Sequence, residues 1–282
     1  MSVFKELQLK DYVTLSGTLF ATISIFLSLL GILYSDALFV LTASFSWAGC
    51  IGADLFDGWI ARKYNQVNKI GKELDSLSDA VSFVVVPSVI VLSGSLLGEF
   101  PIFALPKEGV VIGILAFIFC GITRLAWYNI SDKGEGYTGL VTPLSATVVI
   151  MVFITQYHFN RLAIGWPAYH QVMTPVSNFF SNTFSIVIYM VILGILNLAP
   201  FLHYGANMQK KRGAWVWILA IIGIFIGTMI ILAIVFTGLN TNIAYFVGYI
   251  FPLSFLFCVI GYIVYGFLNY LTLKKKGEVN PT

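Results

Sequence analysis

"GADLFDGWIARKYNQVNKIGKELDSLSDAV" spans residues 52–81 and holds five of the 13 acidic residues of this 282-residue chain. Apolar stretches long enough to cross a membrane lie on both sides of it. An acidic side chain at the centre of a bilayer raises the free energy of insertion by about 2.5–3.5 kcal/mol. The fold must therefore stabilise this negative charge, and the spacing of the acidic residues indicates how it does so.

The composition of the whole chain is that of a membrane protein. It is 58% hydrophobic and 10% charged, with a mean hydropathy of +0.88, whereas a soluble domain is about 25% charged. A spanning helix needs about 20 mostly apolar residues. Eight such runs are predicted, at about residues 13–33, 37–58, 72–97, 108–130, 141–158, 182–203, 213–237 and 243–271. Because lipid offers no partner to backbone polar groups, we predict an all-α integral membrane protein with about eight transmembrane helices.

The distribution of basic residues predicts the orientation in the cell membrane. If the N-terminus is inside, fourteen of the 16 Lys and Arg residues lie on the inner side, and Lys107 and Arg161 lie in outer loops. Lys and Arg are enriched in cytoplasmic loops, so both termini and the acidic stretch are predicted to be cytoplasmic. The net charge of +3 follows from this bias and does not indicate nucleic-acid binding.

Three parts of the chain are distinguished by their composition. Residues 1–12 are predicted to form an amphipathic segment at the membrane surface, and residues 13–205 a core of six spans that contains the acidic stretch. Residues 206–282 are predicted to add two transmembrane helices and a basic tail. Within the core, residues 159–181 contain prolines and aromatic residues and are predicted to form an irregular outer loop at the membrane interface.

The informative residues of the acidic stretch lie on two helical stripes, because residues three or four apart share a helix face. The first stripe comprises Asp54, Asp57, Gly58, Ala61 and Arg62. The second stripe comprises Gly71, Asp75 and Asp79. A turn over residues 63–70 would fold the two helices together, so that four carboxylates meet near the cytoplasmic edge of the membrane.

A cluster of carboxylates without Cys or His is typical of a site for Mg²⁺, Mn²⁺ or Ca²⁺. Four carboxylates are more than one Mg²⁺ normally takes from a protein, which favours two ions that share ligands. Paired divalent ions clamp phosphate groups during in-line displacement. Gly58 and Ala61 would let a substrate group approach the backbone closely, and Arg62 could bind a phosphate or carboxylate. These residues favour a substrate that contains a diphosphate.

Taken together, the eight residues of the two stripes read D-x2-D-G-x2-A-R-x8-G-x3-D-x3-D and resemble the signature of the CDP-alcohol phosphotransferases. The resemblance implies a membrane enzyme with a six-helix core and a polar cavity open to the cytoplasm. It implies that an alcohol attacks the β-phosphate of a CDP-linked substrate and that CMP is released. It also implies a homodimer and a divalent metal, Mg or Mn, as two ions.

The same resemblance assigns roles to the residues of the signature. It implies that Asp54, Asp57 and Asp75 bind metal, and that Asp79 is both a shared metal ligand and the general base. The residues that it implies for the CDP-lipid side of the site are Gly58, Ala61, Arg62 and Gly71.

A second segment, residues 123–146, resembles the R-L-A-R-F-N and G-L-P-x-P segment of phosphatidylserine synthases. The matching residues are Arg124, Leu125, Ala126, Asn129, Gly139, Leu140 and Pro143. Trp127 and Val141 depart from the pattern. The resemblance implies L-serine as acceptor, CDP-diacylglycerol or, in an archaeon, CDP-archaeol as donor, and a contact of Arg124 and Asn129 with the acceptor or a phosphate.

Two kinds of alternative remain open from the sequence. The same chemistry could serve another alcohol: choline, for which Trp127 and Tyr128 could form an aromatic cage, or inositol phosphate or glycerol phosphate. The latter two would require more basic residues than the core offers. A divalent-cation transporter would also place carboxylates in membrane helices, but it would not require Gly58, Ala61 and Arg62 beside them.

Overall fold

The computed structural model describes residues 6–66, 68–130, 137–204 and 241–275, which are helical apart from one two-stranded pairing and short connections. The helices are α1 Leu9–Tyr34, α2 Ala37–Tyr64, α3 Lys69–Ala80, α4 Val86–Leu96, α5 Val111–Ile130, α6 Thr142–Gly165, α7 Pro167–Ser181, α8 Thr183–Asn197 and α9 Thr241–Lys275. Within these ranges six helical spans are long and apolar enough to cross a membrane, or seven if the bent pair α7–α8 is one span. The predicted all-α membrane fold is confirmed.

Two short antiparallel strands join the ends of distant helices. Strand β1, Tyr137–Thr138, precedes α6, and strand β2, His203–Tyr204, follows α8. Gly139, next to β1, has a φ of +79° and donates its N–H to the carbonyl of Leu202. The connection before α6 is thereby held against the end of α8.

Helices α1 and α2 pack as a hairpin through small residues. The buried face of α1 carries a stripe of small residues at intervals of three or four, which are Gly17, Ala21, Ser24, Ser28 and Gly31. Small residues let helix backbones approach closely in lipid, where apolar burial does not drive association. Ser24 Oγ also donates to the Ala43 carbonyl over 2.7 Å. The packing of the two helices as a hairpin places the first turns of α1 beside the acidic part of α2.

Helices α3 and α4 form one span, Lys69–Leu96, interrupted by a π-helical turn over Val81–Val85. Pro87 in the first turn of α4 has no N–H, and its ring would clash with the carbonyl four residues earlier in a regular helix. The wider turn accommodates the proline. The Ser82 carbonyl within it accepts a hydrogen bond of 2.7 Å from Trp47 Nε1, which satisfies this buried group and ties the span to α2.

The turn between α2 and α3 is shorter than the sequence predicted. The predicted turn covered residues 63–70, whereas α2 continues to Tyr64 and α3 begins at Lys69. Asn65 ends α2 in the left-handed conformation with a φ of +49°, which Asn adopts more readily than most residues. A short connection keeps the two acidic stripes on adjacent helices.

Helix α6 is the central helix of the described bundle. Of its most apolar 18-residue window, 83% is buried, and it packs against α2, α4, α7, α8 and α9. Near its C-terminal end, Asn160 Nδ2 and the Arg161 guanidinium donate to the carboxylate of Glu99, which is 7% exposed. Arg161, which the sequence placed in an outer loop, therefore lies in a helix and neutralises a buried charge.

The prediction of an irregular loop over residues 159–181 is wrong. Helix α6 continues to Gly165, and α7 occupies Pro167–Ser181 and meets α8 at an angle of 45°. Pro167 starts α7, where its missing N–H needs no helical partner. Ser177 Oγ donates to Gln156 over 2.9 Å. Pro167 is thus accommodated by the start of a helix and Ser177 by a contact with α6, while Pro175 lies inside α7.

Helix α9 packs on α6, so this part of the predicted C-terminal extension belongs to the bundle. A Cβ on Gly248 would lie 2.3 Å from the ring of His158, which is 1% exposed. The absence of a side chain at Gly248 allows this approach.

The predicted span 213–237 lies outside the described residues, as do the first five residues of the predicted surface segment 1–12. Helix α1 begins at Leu9, within that segment.

Candidate active site

The carboxylates of Asp54 and Asp57 on α2 and of Asp75 on α3 converge. Each offers one oxygen, and these three atoms lie within 4.8 Å of one another. Asp79, one turn beyond Asp75, lines the same cleft. The structure thus brings the four predicted aspartates to one place, because three- and four-residue spacings put them on facing sides of two adjacent helices.

The cleft around the aspartates is lined by residues of α1, of α2 and of the α3–α4 span. Thr14 and Gly17 of α1 line it together with Ser78 and Ser82 of the α3–α4 span, and its remaining wall is formed by Cys50, Ala53 and Phe83. Carboxylates, hydroxyl groups and apolar side chains from three parts of the chain therefore meet in one cleft.

The four aspartates fit a divalent cation. Their oxygens are hard ligands of the kind that Mg²⁺, Mn²⁺ and Ca²⁺ prefer. Like charges at this distance repel one another, and burial strengthens the repulsion. Asp57 is 7% exposed. A cation among these oxygens would offset the repulsion, so a metal site is the arrangement that this geometry favours.

Three of the residues predicted for the CDP-lipid side follow along α2 towards its C-terminal end. Arg62 is exposed, and its guanidinium folds back over Gly58, so that a Cβ on Gly58 would lie 3.4 Å from Arg62 Nη1. Arg62 also interacts electrostatically with Asp54. Ala61 is partly buried on the same stretch of helix. The Arg62 guanidinium and the backbone at Gly58, which has no side chain, therefore lie next to the carboxylates.

Gly71 has a different environment from Gly58. A Cβ there would lie 2.1–2.2 Å from Asn68 Oδ1, Asp11 Oδ1 and Lys10 Nζ. Asp11 is 0% exposed and pairs with Lys10 over 2.6 Å. The structure thus places Gly71 against the N-terminal end of α1, and the sequence missed this contact because Lys10 and Asp11 fell within the predicted surface segment.

The two residues predicted for the acceptor side lie near the end of α5. Arg124 is buried, and its guanidinium carbon is 5.3 Å from the centre of the Tyr128 ring. Asn129 Nδ2 donates to Ser76 on α3 over 2.7 Å, and its carbonyl accepts from Lys72 Nζ. Asn129 therefore ties α5 to the helix that carries Asp75 and Asp79.

Sequence reasoning assigned no role to Thr14. Its hydroxyl donates to Asp57 Oδ2 over 2.6 Å. The signal was present in the spacing, because Thr14 precedes Gly17 and Ala21 on the small-residue face of α1. That face packs on α2, and a hydroxyl on it is expected to reach the acidic stripe.

A family model described as CDP-alcohol phosphatidyltransferase matches residues 8–181, from the residue before α1 to the last residue of α7. The chain belongs to this family. The match contains the whole aspartate signature, all four carboxylates of the cleft and the segment after Arg124. Membership also decides between the two classes of function left open by the sequence, in favour of the enzyme.

Relatives in this family are named for transfer to serine. CDP-diacylglycerol--serine O-phosphatidyltransferase of Bacillus subtilis is 34% identical over 134 residues, which are 47% of this chain and 67% of that protein. Archaetidylserine synthase of Methanothermobacter thermautotrophicus is 29% identical over 153 residues, 53% of this chain and 59% of that protein. The Helicobacter pylori transferase is 26% identical over 264 residues, 92% of each chain. The last similarity extends beyond α8.

Proposed function

We propose that this protein transfers the phosphatidyl, or archaetidyl, group of a CDP-lipid to the hydroxyl of L-serine and releases CMP. The observation that carries the proposal is the convergence of Asp54, Asp57 and Asp75 within 4.8 Å, in a segment that matches the phosphatidyltransferase family. The serine assignment is supported by the names of the bacterial and archaeal relatives. It is also supported by the resemblance of residues 123–146 to phosphatidylserine synthases.

We propose that Asp54, Asp57, Asp75 and Asp79 hold two divalent ions, Mg²⁺ or Mn²⁺. Bound there, divalent ions would neutralise charge on the diphosphate and on the departing CMP. The family and the aspartate cluster support a metal site. The choice of Mg²⁺ or Mn²⁺ rests on the oxygen ligands and on the family resemblance, and the number of two rests on the count of four carboxylates.

In the proposed reaction the serine hydroxyl attacks the β-phosphorus of the CDP-lipid. A bond forms between the serine oxygen and the β-phosphorus while the bond from this phosphorus to the bridging oxygen breaks. The bridging oxygen leaves with CMP and takes the electron pair, and the hydroxyl proton passes to a carboxylate oxygen of Asp79. Asp79 is the signature residue nearest the C-terminal end of α3 and lines the cleft, so an acceptor near it would lie beside the diphosphate.

The remaining site residues are proposed as binding groups. Gly58 and Ala61 would leave room for the cytidine, with Arg62 near the substrate phosphates. Gly71 is proposed to affect the CDP-lipid side indirectly, because its lack of a side chain lets the N-terminal end of α1 pack against α3. Arg124 would contact the acceptor carboxylate or a phosphate, with Asn129 holding α5 in place.

The aromatic residues near Arg124 bear on the choice between serine and choline. A choline site would need free aromatic faces around a quaternary ammonium. Trp127 is 62% exposed, and the guanidinium of Arg124 lies over the Tyr128 ring. A cation at that ring disfavours a second cation, whereas it suits the carboxylate of serine.

We further propose that the protein is an integral protein of the cell membrane with the active site and both termini on the cytoplasmic side. The excess of basic residues in the inner segments supports this orientation. The catalytic core is proposed to be residues 13–205, and the assembly a homodimer. A membrane-impermeant thiol reagent should not label a cysteine placed at Asn65 in sealed cells; labelling there would contradict the orientation.

Purified full-length protein given a CDP-lipid, Mn²⁺ or Mg²⁺ and labelled alcohols is expected to release CMP with L-serine. Choline, inositol phosphate and glycerol phosphate, assayed in parallel, are expected to give no product. Product formation with one of these and none with serine would refute the serine assignment. Removal of divalent ions with a chelator is expected to stop the reaction, and addition of Mn²⁺ should restore it.

Replacing Gly58 by Ala is expected to raise the KM for the CDP-lipid by about tenfold or more, since one added methyl group in a close-fitting site has effects of that size. The structure leaves space for the methyl group, which would meet the Arg62 side chain at 3.4 Å. The fold should therefore be unchanged. Gly52→Ala is the matched control, because a Cβ there has no atom within 4 Å. An unchanged KM in Gly58→Ala would remove Gly58 from the cytidine side of the site.

A further inference from the structure

The hydroxyl of Thr14 makes a short hydrogen bond between α1 and α2. Thr14 Oγ1 donates to Asp57 Oδ2 over 2.6 Å, and the two residues are 4% and 7% exposed. Hydroxyl-to-carboxylate bonds of this length are charge-assisted and about twice as strong as bonds between neutral groups. The bond therefore belongs to the immediate environment of a residue proposed as a metal ligand.

A comparison with other threonines in the bundle shows that the Thr14 hydroxyl lies closer to Asp57 than to its own helix carbonyl. Thr22, Thr42 and Thr155 each donate to the carbonyl four residues earlier, over 2.7–2.8 Å. The corresponding distance from Thr14 to the Lys10 carbonyl is 3.2 Å. A hydroxyl has a single proton, and at Thr14 the shorter distance assigns that proton to Asp57.

The backbone around Thr14 is itself held in place by α3. Ser78 Oγ donates to the Thr14 carbonyl over 3.4 Å, and Thr18 Oγ1 donates to Ser78 Oγ over 2.9 Å. One turn earlier, Asn68 Nδ2 donates to Asp11 Oδ2 over 2.7 Å. Helix α1 is thus anchored on both sides of Thr14, so the position of the hydroxyl is determined by the α3 helix that carries Asp75 and Asp79.

We infer that Thr14 is a positioning residue of the metal site, which holds the Asp57 carboxylate in the orientation that a divalent cation requires. The terminal torsion of an aspartate is broad, and neighbouring Asp54 and Asp75 repel the Asp57 carboxylate when no cation is present. A fixed donor on one oxygen limits this rotation. Hydrogen-bond partners of metal ligands affect metal affinity by about 10–100-fold. The inference rests on the proposed function, in which Asp57 is a metal ligand.

Replacement of Thr14 by Val removes the donor while it keeps the branched shape. We expect the dissociation constant of Mn²⁺, measured by electron paramagnetic resonance on the purified full chain without substrate, to rise at least about tenfold. Thr14→Ser retains the hydroxyl and is expected to bind Mn²⁺ as the unmodified protein does. Thr22→Val is the matched control, since Thr22 lies two turns along α1 and donates to its own helix.

Thr14→Ala is measured beside these variants in case Thr14→Val does not fold. Weak Mn²⁺ binding by the Thr14→Ala variant, together with normal binding by the Thr14→Ser variant, supports the inference. The inference is overturned if Thr14→Val or Thr14→Ala leaves the Mn²⁺ affinity unchanged. It is also overturned if Thr14→Ser binds Mn²⁺ as weakly as Thr14→Ala. The serine assay is scored separately: Thr14-dependent Mn²⁺ binding without serine-dependent CMP release would contradict the proposed function and leave the positioning role intact.

Discussion

Replacing Asp79 by Asn is expected to lower kcat for serine-dependent CMP release by about 10²–10⁴-fold, the usual contribution of a positioned general base. Asparagine has nearly the same shape and keeps one oxygen that can face a cation, but it cannot accept the hydroxyl proton. Asp54, Asp57 and Asp75 remain in place to hold the diphosphate. Binding of the CDP-lipid is therefore expected to change little. The measurement is CMP release under saturating serine, with CDP-lipid affinity determined separately.

Asp36→Asn is the matched control for the Asp79 variant. Asp36 is exposed and caps the start of α2 by accepting a hydrogen bond from the N–H of Leu38 over 2.8 Å. Asparagine caps helices equally well, so turnover should be unaffected. Normal turnover in Asp79→Asn would exclude Asp79 as the base, while a parallel loss of CDP-lipid binding would assign it to substrate binding instead.

Replacing Gly71 by Ala is expected to lower both the stability of the fold and the rate of CMP release. The new methyl group would displace Asn68, Asp11 and Lys10, whose atoms lie 2.1–2.2 Å from its position. The Asp11 carboxylate is fully buried and accepts hydrogen bonds from Asn68, Lys10 and the N–H of Gln8. Breaking such a network leaves a buried charged group unsatisfied, which costs about 1–3 kcal/mol or more.

The effect of Gly71→Ala on activity follows from the position of α1. A distant substitution that misplaces the reacting groups by about 1 Å can lower a rate by about 10²-fold. Helix α1 supplies the hydrogen bond to Asp57, so its displacement would act on the site. Thermal unfolding in detergent and CMP release are the two measurements. Asp11→Ala removes the carboxylate that the new methyl group would displace. The double variant Gly71→Ala with Asp11→Ala should therefore lose less thermal stability and less activity than the sum of the two single variants. Full additivity would contradict the contact between these residues.

The metal site could be predicted in large part because its residues lie close together in sequence. Asp54 and Asp57 share a helix face by spacing alone, as do Asp75 and Asp79, and a turn between two apolar helices leaves few ways to arrange them. Helical periodicity therefore predicted that the carboxylates meet, and the structure brings them together in one cleft. The predicted roles of the individual residues remain predictions for the experiments described above.

Contacts made by residues far apart in sequence could not be predicted in this way. Thr14 and Asp57 are 43 positions apart, and Asn68 and Asp11 are 57 apart. No periodicity links such pairs. The helix α7 was missed for a related reason: prolines and polar residues are compatible with either a loop or a helix, and contacts with α6 decide between them.

The amino-acid sequence by itself determined that this chain is a helical membrane protein and that its acidic residues form two facing stripes, because hydropathy and helical spacing are local properties. The tertiary structure alone decided which helix completes the site. Helix α1 packs through its small residues against α2, and in lipid such packing depends on close backbone approach and on polar groups finding partners. Close backbone approach and hydrogen-bond partners for polar groups both depend on residues of two different helices. They could therefore be identified only from the packed helices and not from the spacing within one helix.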